Sequence, residues 1–267
     1  VGIVGGYIAK VGNSFANISG ENAVSGGFLA ALLAGFVAGY LVLGIKKLAD
    51  KLPESMEGIK PVLIYPLFGV LLIGVFMFAV NPTMAAINTG ITSFLNSMGG
   101  SSKILLGCIV AGMMSIDMGG PFNKAAYVFG TASIASGNYD VMAAVMIGGM
   151  IPPLAVALAT TFFKKKFTSE ERKSGVVNYI MGLCFITEGV IPFAAADPLR
   201  VIPSCVAGSA VAGGLSMLFG CTLRAPHGGI FVFPVVGNVV GYLIALAAGS
   251  LVGMLLLGVL KKDKVAE

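Results

Sequence analysis

Charge is what this sequence has least of. Only 11% of its 267 residues are Asp, Glu, Lys or Arg, against about 25% in a soluble globular domain. Hydrophobic residues make up 57% of the chain and the mean hydropathy is +0.94. A deficit spread along the whole length excludes an ordinary soluble protein. Alternating segments of about ten residues are also missing, which excludes a transmembrane β-barrel. An open sheet is excluded too, because unpaired backbone groups cannot face lipid. Cys108, Cys184, Cys205 and Cys221 all lie in apolar stretches without a CxxC pair, and His227 is the single histidine. Neither a disulfide framework nor a metal site has its spacing here. A nucleophilic triad and a Walker loop are absent as well, and no soluble stretch could hold a nucleotide, so no cofactor is expected. The net charge of +5 does not point to nucleic acid, because the basic residues sit between apolar spans without interleaved aromatics.

Apolar runs of bilayer-crossing length are what remain. The clearest are 26–47, 61–80, 138–163 and 237–260, with less regular stretches at 102–136, 175–196 and 199–222 and polar loops at 48–60 and 164–174. The 38 glycines suit close helix packing and irregular backbone inside a bundle. The chain opens at Val1 in what reads as the tail of a hydrophobic segment, so further spans are expected upstream. The fold class expected is an all-α polytopic membrane protein.

Lysine and arginine set the orientation. Lys46, Lys47, Lys51 and Lys60 fill the first loop, Lys164, Lys165, Lys166, Arg172 and Lys173 the second, and Lys261, Lys262 and Lys264 the tail. By the positive-inside rule all three are cytoplasmic. Residues 81 and 137 then lie outside, so 102–136 must enter and return. An odd number of crossings must lie between 174 and 236. The simplest solution makes 199–222 the crossing, 175–196 re-entrant from the cytoplasm, and 225–234 a dip from the other side. Re-entrant backbone at membrane depth is tolerated where it is buried in protein or lines a wet cavity, which points to transport.

Charges at membrane depth are costly, about 2.5–3.5 kcal/mol each on insertion scales, and are functional candidates by default. Three clusters stand out, each beside glycine and proline. In "SIDMGGPFNKAAYVFG" (115–130), Asn123 can donate and accept as a sugar hydroxyl requires. Asp117 and Lys124 either join it or pair with each other to hold the break. In "FITEGVIPFAAADPLR" (185–200), Glu188 follows Thr187. It can accept two hydroxyl hydrogen bonds or take the proton of an attacking hydroxyl; the other reading pairs it with Arg200 or Lys124. Asp197 and Arg200 read as a brace across the Pro198 turn, with Pro192 marking the bend of a hairpin. In "RAPHGGIFVFP" (224–234), His227 could orient a hydroxyl or be a satisfied turn residue.

Together "DMGGPFNKAAY" (117–127), "FTSEERKSGVVNYIMGLCFITEGVIPFAAADPLRVIP" (167–203) and "RAPHGG" (224–229) resemble enzyme IIC, the membrane permease component of fructose-family phosphotransferase systems (PTS). The resemblance runs from about residue 20 to 260. It implies a homodimer in the bacterial inner (cytoplasmic) membrane, with an interface domain and a transport domain carrying two re-entrant hairpins and moving like an elevator. On this chain that places an interface part at 1–80, a transport domain at 81–260 and a cytoplasmic tail at 261–267. It implies a sugar, with fructose favoured over mannose or its relatives, bound at Glu188, and His227 matches the family's PHGG motif; with the residue reading above, the expected sugar-binding set is Glu188, His227, Asn123, Lys124, Asp117 and Thr187. Glu188 would serve as the catalytic base. The phosphoryl donor would be a phosphocysteine on a IIB partner, charged by IIA and the general carriers upstream. None of the four apolar cysteines substitutes for it, so this chain binds and moves the sugar without carrying the phosphoryl group itself. Apart from lipid, no other partner is expected. The alternative from another class is an ion-coupled secondary transporter, in which Glu188 and Asp117 would be cation or proton sites.

Overall fold

The apolar runs become helices. The computed structural model describes residues 1–19, 23, 25–97 and 100–264, and divides into two units, Val1–Asn96 and Ser97–Glu267. Five helices among the described residues are long and apolar enough to cross a membrane: Leu29–Ala49, Lys60–Gly90, Asp140–Phe162, Pro198–Leu218 and Val239–Leu260. They correspond to the five runs that charge parity selects as crossings.

In the first unit, α1 (Gly2–Val11) packs on α2 (Gly27–Ala49), and α3 (Tyr65–Ser97) follows a π-helical turn at Lys60–Ile64. Ile8, Ala9, Ala30, Ala34, Ala38, Ile73 and Met77 form the buried core. Small alanines let the backbones approach, since dispersion contacts drive helix association where lipid is as apolar as the side chains. The run expected to end near residue 80 instead continues through Asn81 and Pro82 to Ser97. The Asn81 amide explains the polar interruption. It donates to the carbonyl of Ile8 (3.0 Å), which also accepts from Gly12 N–H, and to that of Asn13 (2.9 Å) just past the end of α1. The expected division at 80/81 thus falls inside α3.

In the second unit, α4 (Gly100–Met113) and α5 (Pro121–Ala135) form a hairpin. At 1.5 Å per residue they reach about 21 and 22 Å, short of the roughly 30 Å hydrocarbon core. Helix α6 (Asp140–Phe162) is central, with 94% of its most apolar stretch buried, as a helix apolar on every face must be. Next come α7 (Ser169–Leu183), a 3-10 turn at Glu188–Val190, α8 (Ile191–Ala196) and α9 (Pro198–Leu218). Strands β1 (Thr222–Leu223) and β2 (Val236–Gly237) pair antiparallel and close a loop around the PHGG segment, before α10 (Val239–Leu260). Glycines carry the helix contacts. A Cβ at Gly148 would stand 2.5 Å from the Ala111 Cα, and one at Gly208 would stand 2.7 Å from the Gly249 carbonyl oxygen.

Pro152 and Pro153 lie inside α6. Lacking an N–H, Pro152 leaves the Gly148 carbonyl without its helical donor. Ser209 of α9 supplies one at 2.8 Å, and Ser115 lies 2.5 Å from the Ser209 hydroxyl. With the Ser209 proton committed to Gly148, Ser115 must be the donor to Ser209. Pro152 is tolerated because a neighbouring hydroxyl re-satisfies the Gly148 carbonyl.

The expected polar loop 164–174 is shorter than the residue types suggested, because α7 starts at Ser169. A capping box starts it: Glu171 N–H donates to Thr168 Oγ1 (3.1 Å) and Thr168 N–H to Glu171 Oε2 (2.8 Å). The two basic segments expected on one membrane face meet. Lys166 Nζ lies 3.1 Å from Asp263 and donates to the Lys261 carbonyl at 2.7 Å, while Lys264 holds Glu171 at 2.9 Å. Burial pushes the Glu171 carboxyl up, but the Thr168 amide and the Lys264 ammonium outweigh it and hold it below its usual value. Of the expected tail 261–267, residues 265–267 lie outside the described residues.

Candidate functional site between the hairpin tips

The three polar clusters converge within the second unit. The turn between α4 and α5 places Met118 at φ 47° and Gly119 at φ 115°. Asp117 closes it, accepting from Phe122 N–H (2.6 Å) and Asn123 N–H (3.0 Å). Both oxygens therefore cap the start of α5, where the open N–H groups and the helix dipole favour an anion. The pairing of Asp117 with Lys124 is not formed. Lys124 is exposed on α5 and has no ion-pair partner among the described residues.

One turn into α5, the buried Asn123 amide donates to the Met114 carbonyl at 2.8 Å and reaches Thr187 Oγ1 at 3.5 Å. That contact joins the start of α5 to the segment that follows α7. Glu188 follows directly. It is exposed and has neither a hydrogen bond nor an ion pair to another described side chain. Its carboxylate lies against the glycine turn, since a Cβ built on Gly119 would stand 2.8 Å from Glu188 Oε1. The pairing of Glu188 with Arg200 is not formed either. Arg200 binds Asp197 at 3.0 Å, as the brace reading expects. A third member was missed: the buried Lys261 ammonium reaches Asp197 at 3.5 Å and sits 5.0 Å from the Phe167 ring centroid. The brace therefore also ties the start of α9 to the tail. Pro192 opens α8 near its first turn, where a missing N–H costs nothing.

His227 completes the convergence. Its ring lies 5.1 Å from Phe185 and 6.1 Å, edge-on, from Tyr127, centroid to centroid. Tyr127 and Phe185 are themselves 6.4 Å apart. One aromatic from each cluster thus meets in a single group. Phe185 sits at φ 64°, a conformation costing a bulky residue roughly 1–3 kcal/mol. Two backbone bonds hold it there, Phe185 N–H to Gly182 (3.2 Å) and Ile186 N–H to Met181 (2.8 Å), the pattern usually completed by glycine at a helix C-terminus. The PHGG turn packs directly on this bend: a Cβ at Gly229 would collide with the Leu183 carbonyl oxygen. Arg224 stays outside the group, over the Tyr139 ring at 5.0 Å. Among the cysteines, Cys205 and Cys221 are buried, Cys108 and Cys184 partly so, and all four are free thiols.

Sequence reasoning missed Tyr127 and Phe185 because an aromatic in an apolar run carries no signal of its own. The capping box at Thr168 and Glu171 was missed as well, although its T-x-x-E spacing carried a signal.

Among helices long and apolar enough to cross a membrane, polar turns thus gather around one carboxylate. The family model "Phosphotransferase system, EIIC" matches residues 2–208, and the chain belongs to that family of multi-pass inner-membrane permeases. The "PTS system fructose-specific EIIABC component" of Bacillus subtilis is 51% identical over 262 residues, 98% of this chain and 39% of that protein. The "Fructose permease IIC component" of Bacillus amyloliquefaciens is 50% identical over 98% of this chain and 82% of its own length. The "PTS system fructose-specific EIIC component" of Haloferax volcanii is 42% identical over 94% of this chain and 68% of its own. The chain thus spans well under half of the first relative and most of the second. No solved structure matches. Family membership sets aside the ion-coupled alternative.

Proposed function

We propose that this chain forms the sugar-binding and translocating part of a fructose permease, with the sugar held at Glu188 between the two hairpin tips. The observation carrying this is an exposed carboxylate without a side-chain partner among the described residues, set among the polar groups of both clusters. Such a group is available to accept sugar hydroxyls. Thr187, Asn123 and His227 line the same region, Asp117 shapes the turn beneath it, and Lys124 stands on the rim. Fructose is favoured because the relatives above are described as fructose-specific.

In the chemical step the attacking sugar hydroxyl forms a P–O bond to a phosphocysteine on a IIB partner. The P–S bond breaks, the thiolate leaves, and the hydroxyl proton passes to Glu188. IIA and the general carriers would recharge the partner, which the fused "EIIABC" description of the B. subtilis relative favours. Phosphorylation adds about two negative charges, which makes recrossing the bilayer prohibitive without an ion gradient. The joined basic loop and tail would face the phosphorylated partner. The short arms of α4 and α5, and the broken α7–α8 stretch, support re-entrant hairpins whose tips meet at membrane depth. In the same reading residues 97–264 are the moving transport part and the first unit the interface of a homodimer.

The test is uptake into vesicles supplied with phosphorylated IIB. Wild type should deliver fructose phosphate, and Glu188→Gln should lose both transport and phosphorylation while inserting normally. Free fructose that accumulates unmodified and is released by a protonophore would defeat the proposal.

A further inference from the structure

Asn178 on α7 is 1% exposed, and neither its amide nitrogen nor its amide oxygen has a hydrogen-bond partner among the described residues. Buried side-chain amides nearly always make at least one such bond. The place of this one is telling. A Cβ on Gly189 would collide with the Asn178 amide oxygen and the Met181 sulfur, so Asn178 lies against the 3-10 turn Glu188–Val190. Glu188 therefore stands between two amides. Asn123 is paired to Thr187, one residue before it; Asn178 adjoins Gly189, one residue after, and is unpaired.

We propose that Asn178 is a positioning residue for sugar binding, whose amide pairs with the backbone of the Thr187–Gly189 turn once a bound sugar draws Glu188 into its loaded position. This rests on the reading that Glu188 binds the sugar. An unpaired amide raises the free energy of the empty conformation relative to one in which the turn offers it a carbonyl or an N–H. A ligand favouring that second conformation gains the difference as affinity. A 3-10 turn suits such an adjustment, because its hydrogen bonds are poorly aligned, and Gly189 brings no side chain to obstruct it.

Asn178→Leu separates this role from a structural one, since it keeps the branched shape at Cγ and removes the unpaired atoms. Replacing an unsatisfied buried polar group by an apolar one of like shape is neutral or stabilising. In the full purified chain, without sugar, Asn178→Leu should unfold at the wild-type temperature or above it. Equilibrium binding of radiolabelled fructose should nevertheless weaken at least tenfold, and Asn178→Ala should weaken it similarly. Wild-type fructose affinity in Asn178→Leu overturns the proposal. So does affinity lost in both variants only in step with stability. Retained binding in Glu188→Gln would remove the site reading as well, whereas retained binding in Asn178→Leu alone removes only the role of Asn178.

Discussion

Gly119→Ala probes the contact between the hairpin tips, and two separate effects can be worked out from the structure. The first is backbone strain: φ is 115°, and an L side chain in a sparsely populated region costs roughly 1–3 kcal/mol. The second is steric. The new methyl would stand 2.8 Å from Glu188 Oε1 and 3.2 Å from its Cδ and Cγ. The carboxylate is the free end of a flexible side chain, so it will move by about half an ångström rather than resist. Stability then suffers little from the collision, but the carboxylate leaves the position in which it would meet a sugar hydroxyl. Losing one hydrogen bond to a charged group is worth about 1.5–3 kcal/mol, or roughly ten- to a hundredfold in Kd. Gly137→Ala is the matched control. It has φ 82° and open space around its Cβ, so it carries a comparable backbone penalty without touching Glu188. Radiolabelled fructose binding and thermal unfolding should be measured on both. Gly137→Ala should lower the unfolding temperature and keep the affinity; Gly119→Ala should lower both. Equal affinity in the two variants would refute the reasoning.

Three further outcomes follow from contacts elsewhere in the second unit. His227→Ala should weaken fructose binding less than Glu188→Gln does, because it removes one face of the aromatic group and leaves the carboxylate; unchanged affinity would make His227 structural only. Ser209→Ala should destabilise the unit by about 1 kcal/mol, since interhelical hydrogen bonds in membrane proteins average about 0.6 kcal/mol and reach about 1.7. Unfolding in mixed micelles that matches wild type would count against the relay through Ser115. The Glu171 carboxyl has a folded pKa below its ordinary value of 4.5. Its contribution is therefore complete above about pH 4.5 and lost as pH falls through the lowered value. Amide exchange at Lys264, corrected for intrinsic rate, should accelerate over that acid range, and Glu171→Gln should abolish the dependence. An acid response that survives in Glu171→Gln would point to another group.

The membrane helices were legible because composition alone determines them: α2, α6 and α10 sit within a few residues of their apolar runs. Errors arose where polarity had a local use. Asn81-Pro82 read as the end of a span, yet the amide is consumed inside the first unit by carbonyls at and just past the end of α1. The polar string 164–174 read as loop because its Thr-Ser-Glu-Glu stretch was counted as charge rather than as a cap. At the site, Glu188 and His227 were conspicuous as rare residue types beside glycine. Their relation was not, because it runs through Tyr127 and Phe185. Asn178 was invisible for a different reason: one amide in "VVNYIMG" looks like surface polarity until burial is known. The occupation of both Asp117 oxygens by backbone N–H groups likewise required the geometry of the turn.

The hydroxyl chain from Ser115 through Ser209 to the Gly148 carbonyl constrains motion as well as packing. Sliding α9 along α6 by a single residue would strip the buried Gly148 carbonyl of its donor, and shifting Ser115, just beyond α4, would part the two hydroxyls. Helices α4, α6 and α9 must therefore travel together as one rigid element. Any rearrangement accompanying transport within the second unit then falls to what lies beyond that element, which includes the Asp117–Gly120 turn, the Glu188–Val190 turn and the closed loop bearing His227. Those are the three segments that meet around the unpaired carboxylate, so deformability is concentrated where the cargo would be held.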